Sequence, residues 1–358
     1  MVLRPDAAAR PGGDVVQAEK TAEALRRLGV HVTLSSGEGM AHADVVHVFN
    51  LQTADWTLGQ VRAAKRLGKP VVLSPIYWRD LRLPLGALLR MGAVLPYLAP
   101  SRASEDAAPR ATVPLLPAGR GRAAREILEQ VDALLPNSEA EARHLAAAHP
   151  VVRRRGVPVS VVPNGVDVAS FERATAQPMD AALADLPEGF VLCASRIEYR
   201  KNTLALIRAA QRLGLPLVLA GAEVRSTAWH RAYAAACRAH GEGVRFLGPL
   251  PQERLWPLYR ACAVHALPSF FETPGLSSLE AALAGARVVT TPNGSAPEYF
   301  GDQAEYADPL SVRSIAAALR RSLARPAPPD LPRVIRERFT WDRAAAVTLD
   351  AYRRIGTD

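Results

Sequence analysis

The chain has 358 residues, 49% apolar and 22% charged, with 44 basic against 35 acidic residues for a formal net charge of +9. That length favours two domains over one, and the composition excludes a disordered or fibrous chain. Three cysteines without CxxC spacing (Cys193, Cys237, Cys262) argue against a disulfide framework or a zinc ribbon, and no apolar run reaches the roughly 18 residues of a membrane span.

In chain order, a short strand is predicted at 1–4. The glycine loop Pro11-Gly12-Gly13-Asp14 follows, then a helix with Val15, Ala18, Ala22 and Leu25 on one face. Further strands are predicted at 30–34, 45–48, 70–74, 133–135 and 159–162. Polar, Pro- and Gly-containing interruptions at 149–158 and 174–186 mark a boundary. The alternation restarts with strands at 190–194, 217–220, 244–247, 264–267 and 288–290, separated by helical patterns such as Leu206, Ile207, Ala210 and Leu213. A proline-rich connector at 321–333 leads to a terminal helix at 341–355. Apolar strands alternating with helices predict an α/β fold with parallel sheets covered on both faces. Two such series predict two doubly wound domains, 1–155 and 156–335, with 336–358 as a helix returning to the first. No signal peptide is evident, so a cytoplasmic protein is expected.

The basic residues divide into 40 Arg and only four Lys (Lys20, Lys65, Lys69, Lys201), and Asn occurs five times. This reads as GC-rich coding bias and predicts a bacterial source. Against that background a Lys or an Asn stands out.

Ligands of open parallel sheets bind beyond the carboxyl ends of the strands. Arg196 and Lys201 lie five residues apart in Ser195-Arg196-Ile197-Glu198-Tyr199-Arg200-Lys201-Asn202, after the strand at 190–194. Arg offers a planar fork and Lys a compact charge, and two cations there suit a diphosphate. The second stretch, Ser269-Phe270-Phe271-Glu272-Thr273-Pro274-Gly275-Leu276-Ser277-Ser278-Leu279-Glu280, follows the strand at 264–267. Thr273 is the expected N-cap, with Pro274 at the first helical position. Backbone N–H groups of Gly275 to Ser277 would then meet an anion. Glu272 and Glu280 suggest glycosidase chemistry as one option, but the adjoining anion site favours a nucleotide sugar. Pro163-Asn164-Gly165-Val166-Asp167 reads as a structural turn. The glycine pair Gly12-Gly13 lacks a GxGxxG continuation, which weakens a nicotinamide oxidoreductase reading.

The order of these motifs resembles glycosyltransferase family 4, with the GT-B fold of two Rossmann-like domains facing a central cleft. The matching stretches are PGGDVVQ, VVPNGVD, SRIEYRKN, PSFFETPGLSSLEAALAG, NGSAPEYFGDQAEYADP and FTWDRAA. The resemblance implies a retaining transferase that moves a hexose from a nucleoside diphosphate sugar to the hydroxyl of a saccharide, lipid-linked or small-molecule acceptor. It implies that Arg196 and Lys201 bind the diphosphate, Glu272 the donor sugar and Glu280 the nucleotide ribose. Thr273, Gly275, Leu276 and Ser277 would surround sugar and phosphate, and Gly12 and Gly13 would form the glycine loop of an acceptor-binding N-terminal domain. It implies no cofactor and no bound metal. The sequence departs from the family in Thr273-Pro274-Gly275, where Gly-Phe-Gly is common. It also has Ser74-Pro75-Ile76-Tyr77-Trp78 where many relatives carry a histidine. Tyr77 and Trp78 read as packing residues or an acceptor platform, and His47 as structural.

Residues 79–125 carry eight Arg against Asp80, Glu105 and Asp106, a surplus of five positive charges. This suggests either peripheral docking on an anionic membrane, aided by Leu81, Leu85, Leu88 and Leu89, or an anionic acceptor. The rival readings are a nucleotide-sugar epimerase or hydrolase of the same fold and a non-enzymatic anion- or nucleic-acid-binding protein. A nucleic-acid partner is not expected.

Overall fold

The computed structural model describes residues 1–7, 12–77, 119–175, 183 and 185–356. Chain contacts divide into two units. One holds the described residues of 1–79, 114–166 and 337–358, the other those of 167–336.

In the first unit, β1 (Val46–Phe49), β2 (Val71–Ser74) and β3 (Ala133–Leu134) form a parallel sheet in that order. Val46 lies opposite Val71, and Val72 opposite Ala133. Every residue of these strands is buried, as expected for parallel strands covered on both faces. The helices are α1 (Gly13–Arg27), α2 (Ala54–Arg66), α3 (Gly119–Gln130), α4 (Glu139–Ala148) and α5 (Val151–Arg155). The predicted face of α1 is the buried one: Val15, Ala18, Ala22 and Leu25.

Three strands expected in this half are not formed as such. Segments 1–4 and 159–162 reduce to isolated bridges of Val2 with Ser35 and Val48 and of Val159 with Leu134, and 30–34 itself forms no bridge. His31 and Thr33 are exposed and Val30, Val32 and Leu34 only half-buried; Ser35, just past the segment, makes backbone bonds to Met1 and Leu3. The interruption at 149–158 is also more regular than its composition suggests, because 151–155 is helical and ends at Gly156 with φ 60°.

The second unit contains α6 (Val168–Thr175), β4 (Val191–Ala194), α7 (Thr203–Leu213), β5 (Leu217–Ala220), α8 (Ala228–Ala239) and β6 (Arg245–Gly248). It continues with α9 (Gln252–Ala261), β7 (Val264–Leu267), α10 (Leu276–Leu283), β8 (Arg287–Thr290), α11 (Ala296–Phe300), β9 (Glu305–Tyr306) and α12 (Val312–Leu323). The sheet is parallel throughout, in the order β6-β5-β4-β7-β8-β9. β4 pairs with β5 on one side and β7 on the other, so the strand order reverses between β4 and β7. Such a reversal splays the loops apart beyond the carboxyl ends and leaves room for a ligand. The core joins Val191, Leu219, Val264 and Leu267 to Leu206 and Ile207 of α7 and Ile315 and Leu319 of α12. β9 is a two-residue, half-buried edge strand with no apolar run to announce it. All three cysteines are free and buried. Burial pushes Cys193 up to about 11, and Cys237 and Cys262 to about 12.

α13 (Leu331–Arg338) and α14 (Trp341–Gly356) end the described chain. α14 packs in the first unit, where Tyr352 meets Nδ1 of His47 at 2.7 Å and Arg27 pairs with Asp342. Residues 156–166, expected in the second domain, belong to the first. The cause is backbone pairing: Ser160 N–H donates to the Leu134 carbonyl, Val162 N–H to Pro136 and Val166 N–H to Phe339. Gly165 permits the last approach, since a Cβ there would lie 2.2 Å from the carbonyl carbon of Thr340. The Asn164-Gly165 motif is thus a close-packed structural turn.

Candidate active site

At the reversal point, the loop after β4 carries Arg196 and a single 3-10 turn, Tyr199–Lys201. The turn ends at Asn202, a left-handed residue with φ 58°. Asn tolerates that region, and here its side chain is occupied as well. Its Nδ2 donates to the carbonyls of Pro268 at 3.1 Å and Pro309 at 2.7 Å. Phe270 N–H donates to the Arg200 carbonyl at 3.0 Å, and Tyr199 lies over Phe270 with ring centroids 4.9 Å apart. The loops after β4 and β7 are thereby tied together through both backbone and side chains.

That tie brings the predicted residues into contact. Lys201 Nζ lies 2.5 Å from Glu272 Oε1, with side chains only 13% and 4% exposed. Arg200 lies 3.7 Å from the same oxygen and 3.2 Å from Glu198, which also meets Arg196 at 3.3 Å. Three cations and two carboxylates leave one positive charge in this cluster, in a setting where charges are costly to leave unbalanced. Burial opposes ionisation of Glu272, but Lys201 and Arg200 overcome it and hold the carboxyl below its usual range. Burial and the neighbouring Arg200 depress the Lys201 ammonium, against the pull of Glu272.

Glu272 is held from behind. Its N–H donates to the Asn293 carbonyl at 3.0 Å and its carbonyl accepts from Ser295 N–H at 2.9 Å. Gly294 has φ 110°, and a Cβ there would sit 2.0 Å from the Glu272 carbonyl oxygen. Asn293 Nδ2 also donates to Phe270 at 3.1 Å.

The start of α10 corrects one expectation. Thr273 is not the N-cap and Pro274 is not helical; Gly275 caps the helix with φ 85°, and Leu276 is its first residue. A left-handed cap favours glycine over threonine. The first N–H groups bonded within the helix are those of Ser278 and Leu279, both to the Gly275 carbonyl. Those of Leu276 and Ser277 precede the first intrahelical bond and form the positive end of the helix. A Cβ on Gly275 would meet Glu272 Oε2 and Ser278 Oγ at 3.4 Å and Leu267 at 3.1 Å. Ser278 Oγ lies 3.3 Å from Nδ1 of the buried His265, whose pKa burial lowers to about 3.

Glu280 lies one turn further along α10. Gln252 Nε2 donates to its Oε1 at 2.6 Å and the Tyr259 hydroxyl to its Oε2 at 2.9 Å. Composition drew attention to Asn202 and Asn293, but nothing in the sequence reading singled out Glu198, Arg200, Gln252, Tyr259 or Gly294. Scarce Asn was the usable signal; the others are common residue types.

Gly12 and Gly13 lie in the first unit, at the N-terminus of α1. A Cβ on Gly12 would meet Asp14 Oδ1 at 2.7 Å, whereas Gly13 faces open space. Asp14 accepts from Arg4 at 3.0 Å and Asn50 at 3.1 Å. Among the described residues the non-glycine positions with positive φ are Asn50, Ile76 and Asn202, each in a loop beyond the carboxyl end of β1, β2 or β4. Strained backbone tends to gather at functional loops. Tyr77 packs edge-on against His149, and its N–H donates to Glu141 at 2.5 Å. His47 is buried between Ser74 and Tyr352, a structural setting. Trp78 and residues 79–118 of the basic segment lie outside the described residues, and so do Leu81, Leu85, Leu88 and Leu89. Arg122 and Arg125 are described and exposed, with Arg125 paired to Glu129. Among the described residues no group of three or more His, Cys, Asp or Glu could hold a metal ion, and no helix is long and apolar enough to cross a membrane.

Comparison with known proteins gives an independent view. The model of the family described as glycosyl transferases group 1 matches residues 179–338. The O-antigen chain mannosyltransferase B of Escherichia coli is 33% identical over 181 residues, 46% of each chain. The D-inositol 3-phosphate glycosyltransferase of Salinispora tropica is 33% identical over 257 residues, 63% of this chain and 52% of that protein. The chain thus spans about half the length of these relatives. Sucrose-phosphate synthase from Thermosynechococcus elongatus superposes with a TM-score of 0.70 at 19% identity, over 96% of this chain and 93% of that one. This likeness shows the fold, an α/β GT-B architecture with two parallel-sheet units.

Proposed function

From the match of residues 179–338 to the family described as glycosyl transferases group 1, we propose that the chain is a retaining glycosyltransferase. It moves a hexose from a nucleoside diphosphate sugar to the hydroxyl of a saccharide, lipid-linked or small-molecule acceptor. The observation that carries this reading is the buried Lys201–Glu272 pair beside Arg196 and the open start of α10, at the reversal of strand order.

In this reading Arg196, Lys201 and the Leu276 and Ser277 amides bind the donor diphosphate. Glu272, with Thr273 and Gly275 beside it, meets the donor sugar, and Glu280 accepts from the ribose. Gly12 and Gly13 form the glycine loop of the first unit, which holds the acceptor. The surplus positive charge of 79–125 supports an anionic acceptor or contact with an anionic membrane surface.

The bond between the anomeric carbon and the leaving phosphate oxygen breaks through an oxocarbenium-like centre. The acceptor oxygen bonds to the same carbon from the same face, and its proton passes to the leaving phosphate. No protein base is required. Negative charge grows on that phosphate as the bond breaks, and the net positive cluster is already in place to receive it. Preorganised charge of this kind lowers the barrier because little has to move during the reaction.

Lys201→Ala is the direct test, in a transfer assay run over a panel of nucleotide sugars and acceptors. Turnover is expected to fall by roughly 10²–10³ with the far-ultraviolet circular dichroism unchanged. Transfer at the wild-type rate would overturn the assignment. Donor consumption that needs no acceptor would point instead to a hydrolase or epimerase.

A further inference from the structure

We propose that Tyr259 and Gln252 are positioning residues that aim the Glu280 carboxylate at a vicinal ribose diol and so make the site selective for ribonucleotides over deoxyribonucleotides. The inference rests on the assignment of Glu280 to the donor ribose and extends it to two residues on another helix.

The geometry is specific. Glu280 lies on α10, and both donors lie on α9, seven residues and two turns apart on one face. Each donor takes a different carboxylate oxygen, Gln252 Nε2 at 2.6 Å from Oε1 and Tyr259 Oη at 2.9 Å from Oε2. A carboxylate has about four lone-pair directions, and these two donors take one on each oxygen. Two acceptors on one planar group match the two neighbouring hydroxyls of a ribose. A carboxylate free to rotate would have to be ordered on binding, at a cost in affinity.

The anchoring donor is itself immobile. Tyr259 is fully buried. Its ring meets Trp256 edge-on at 5.8 Å and His265 at 5.7 Å, which fixes the direction of its hydroxyl. Burial, and then the facing Glu280 carboxylate, push the Tyr259 hydroxyl well above its ordinary pKa, so it stays a donor across the working pH range. Both donors are neutral. They orient the carboxylate without supplying a cation that would compete with a ligand for its charge.

The test uses the whole chain and isothermal titration calorimetry. ADP, GDP, UDP and CDP are compared, and the tightest is titrated beside its 2′-deoxy counterpart. Tyr259→Phe keeps the ring and removes only the hydroxyl. It is expected to weaken the ribonucleotide by about five- to tenfold, the scale of one ordinary hydrogen bond. The 2′-deoxy compound should change less than about twofold, so the ratio between them falls. Gln252→Met, a second variant of similar volume, should move the ratio in the same direction. A merely structural role would weaken both ligands equally, and a wild-type ratio in both variants overturns the inference. Glu280→Ala separates the two levels. If it abolishes ribose selectivity while Tyr259→Phe and Gln252→Met leave it intact, only the positioning roles fail. If Glu280→Ala leaves selectivity intact, or the wild type binds none of the four nucleotides, the ribose assignment fails and this inference fails with it.

Discussion

Lys201→Met isolates the buried ion pair, because Met preserves most of the side-chain volume while removing the charge. Glu272 would keep its burial, with a side chain 4% exposed, and its neighbouring cation would be Arg200, 3.7 Å away, instead of Lys201 at 2.5 Å. Breaking one half of a buried pair costs about 3–5 kcal/mol when the other charge is left alone. Attraction falls off as the inverse of distance, so Arg200 keeps a large part of the neutralisation, and a loss of about 2 kcal/mol is expected. Glu272 has a depressed pKa, so its contribution to stability is present above its unfolded value of 4.5 and is lost as the pH falls through the folded value. Without Lys201 that value rises, and acid destabilisation should begin at a higher pH. Urea unfolding of the wild type, Lys201→Met, Glu272→Gln and the double variant measures the coupling directly. The double variant should be more stable than Lys201→Met because no buried charge is stranded. A Lys201→Met midpoint equal to the wild type, or no coupling in the cycle, would refute the reasoning.

Two further perturbations test the supports of the site. Gly294→Ala places a Cβ where the Glu272 carbonyl oxygen lies 2.0 Å away, at a φ of 110°; it should cost roughly 2–4 kcal/mol and weaken nucleotide binding. An unchanged urea midpoint together with unchanged affinity would count against that close contact. In the first unit, burial raises Glu141 to about 7, although Tyr77 and Asn137 donate their N–H groups to it. A raised carboxyl pKa means the folded state holds the proton more tightly, so stability should fall by roughly 3 kcal/mol as the pH climbs from 4.5 toward 7. Glu141→Gln should flatten that slope in urea midpoints measured across the range, and a slope of wild-type steepness in the variant would exclude Glu141 as its source.

The parallel fold was legible because its strands are continuous apolar runs, and burial on both faces leaves no other pattern open to them. The runs 45–48, 70–74 and 264–267 correspond closely to β1, β2 and β7. The segment 30–34 misled because its apolar content matches a strand, yet His31 and Thr33 face solvent. β9 escaped because two half-buried residues carry no period. The cap of α10 was misplaced for a local reason: Thr-Pro is a good helix start by propensity, whereas the left-handed turn needed beside Glu272 falls on Gly275.

For the site, residue type and spacing determined a good deal on their own. Lys201, one of four lysines, and Asn202, one of five asparagines, stand out in an Arg-rich chain, and both lie at the strand reversal. What only the tertiary structure decided is who neutralises whom. Lys201 and Glu272 are far apart in sequence and meet because Asn202 and Phe270 tie the loop after β4 to the loop after β7. Glu280 stood out in the sequence by its spacing from Glu272, but that Gln252 and Tyr259 each take one of its oxygens was decided by the fold. Sequence patterns report periodicity and local conformation, which depend on near neighbours. Charge balance, burial and the aim of a side chain depend on groups that only folding brings together.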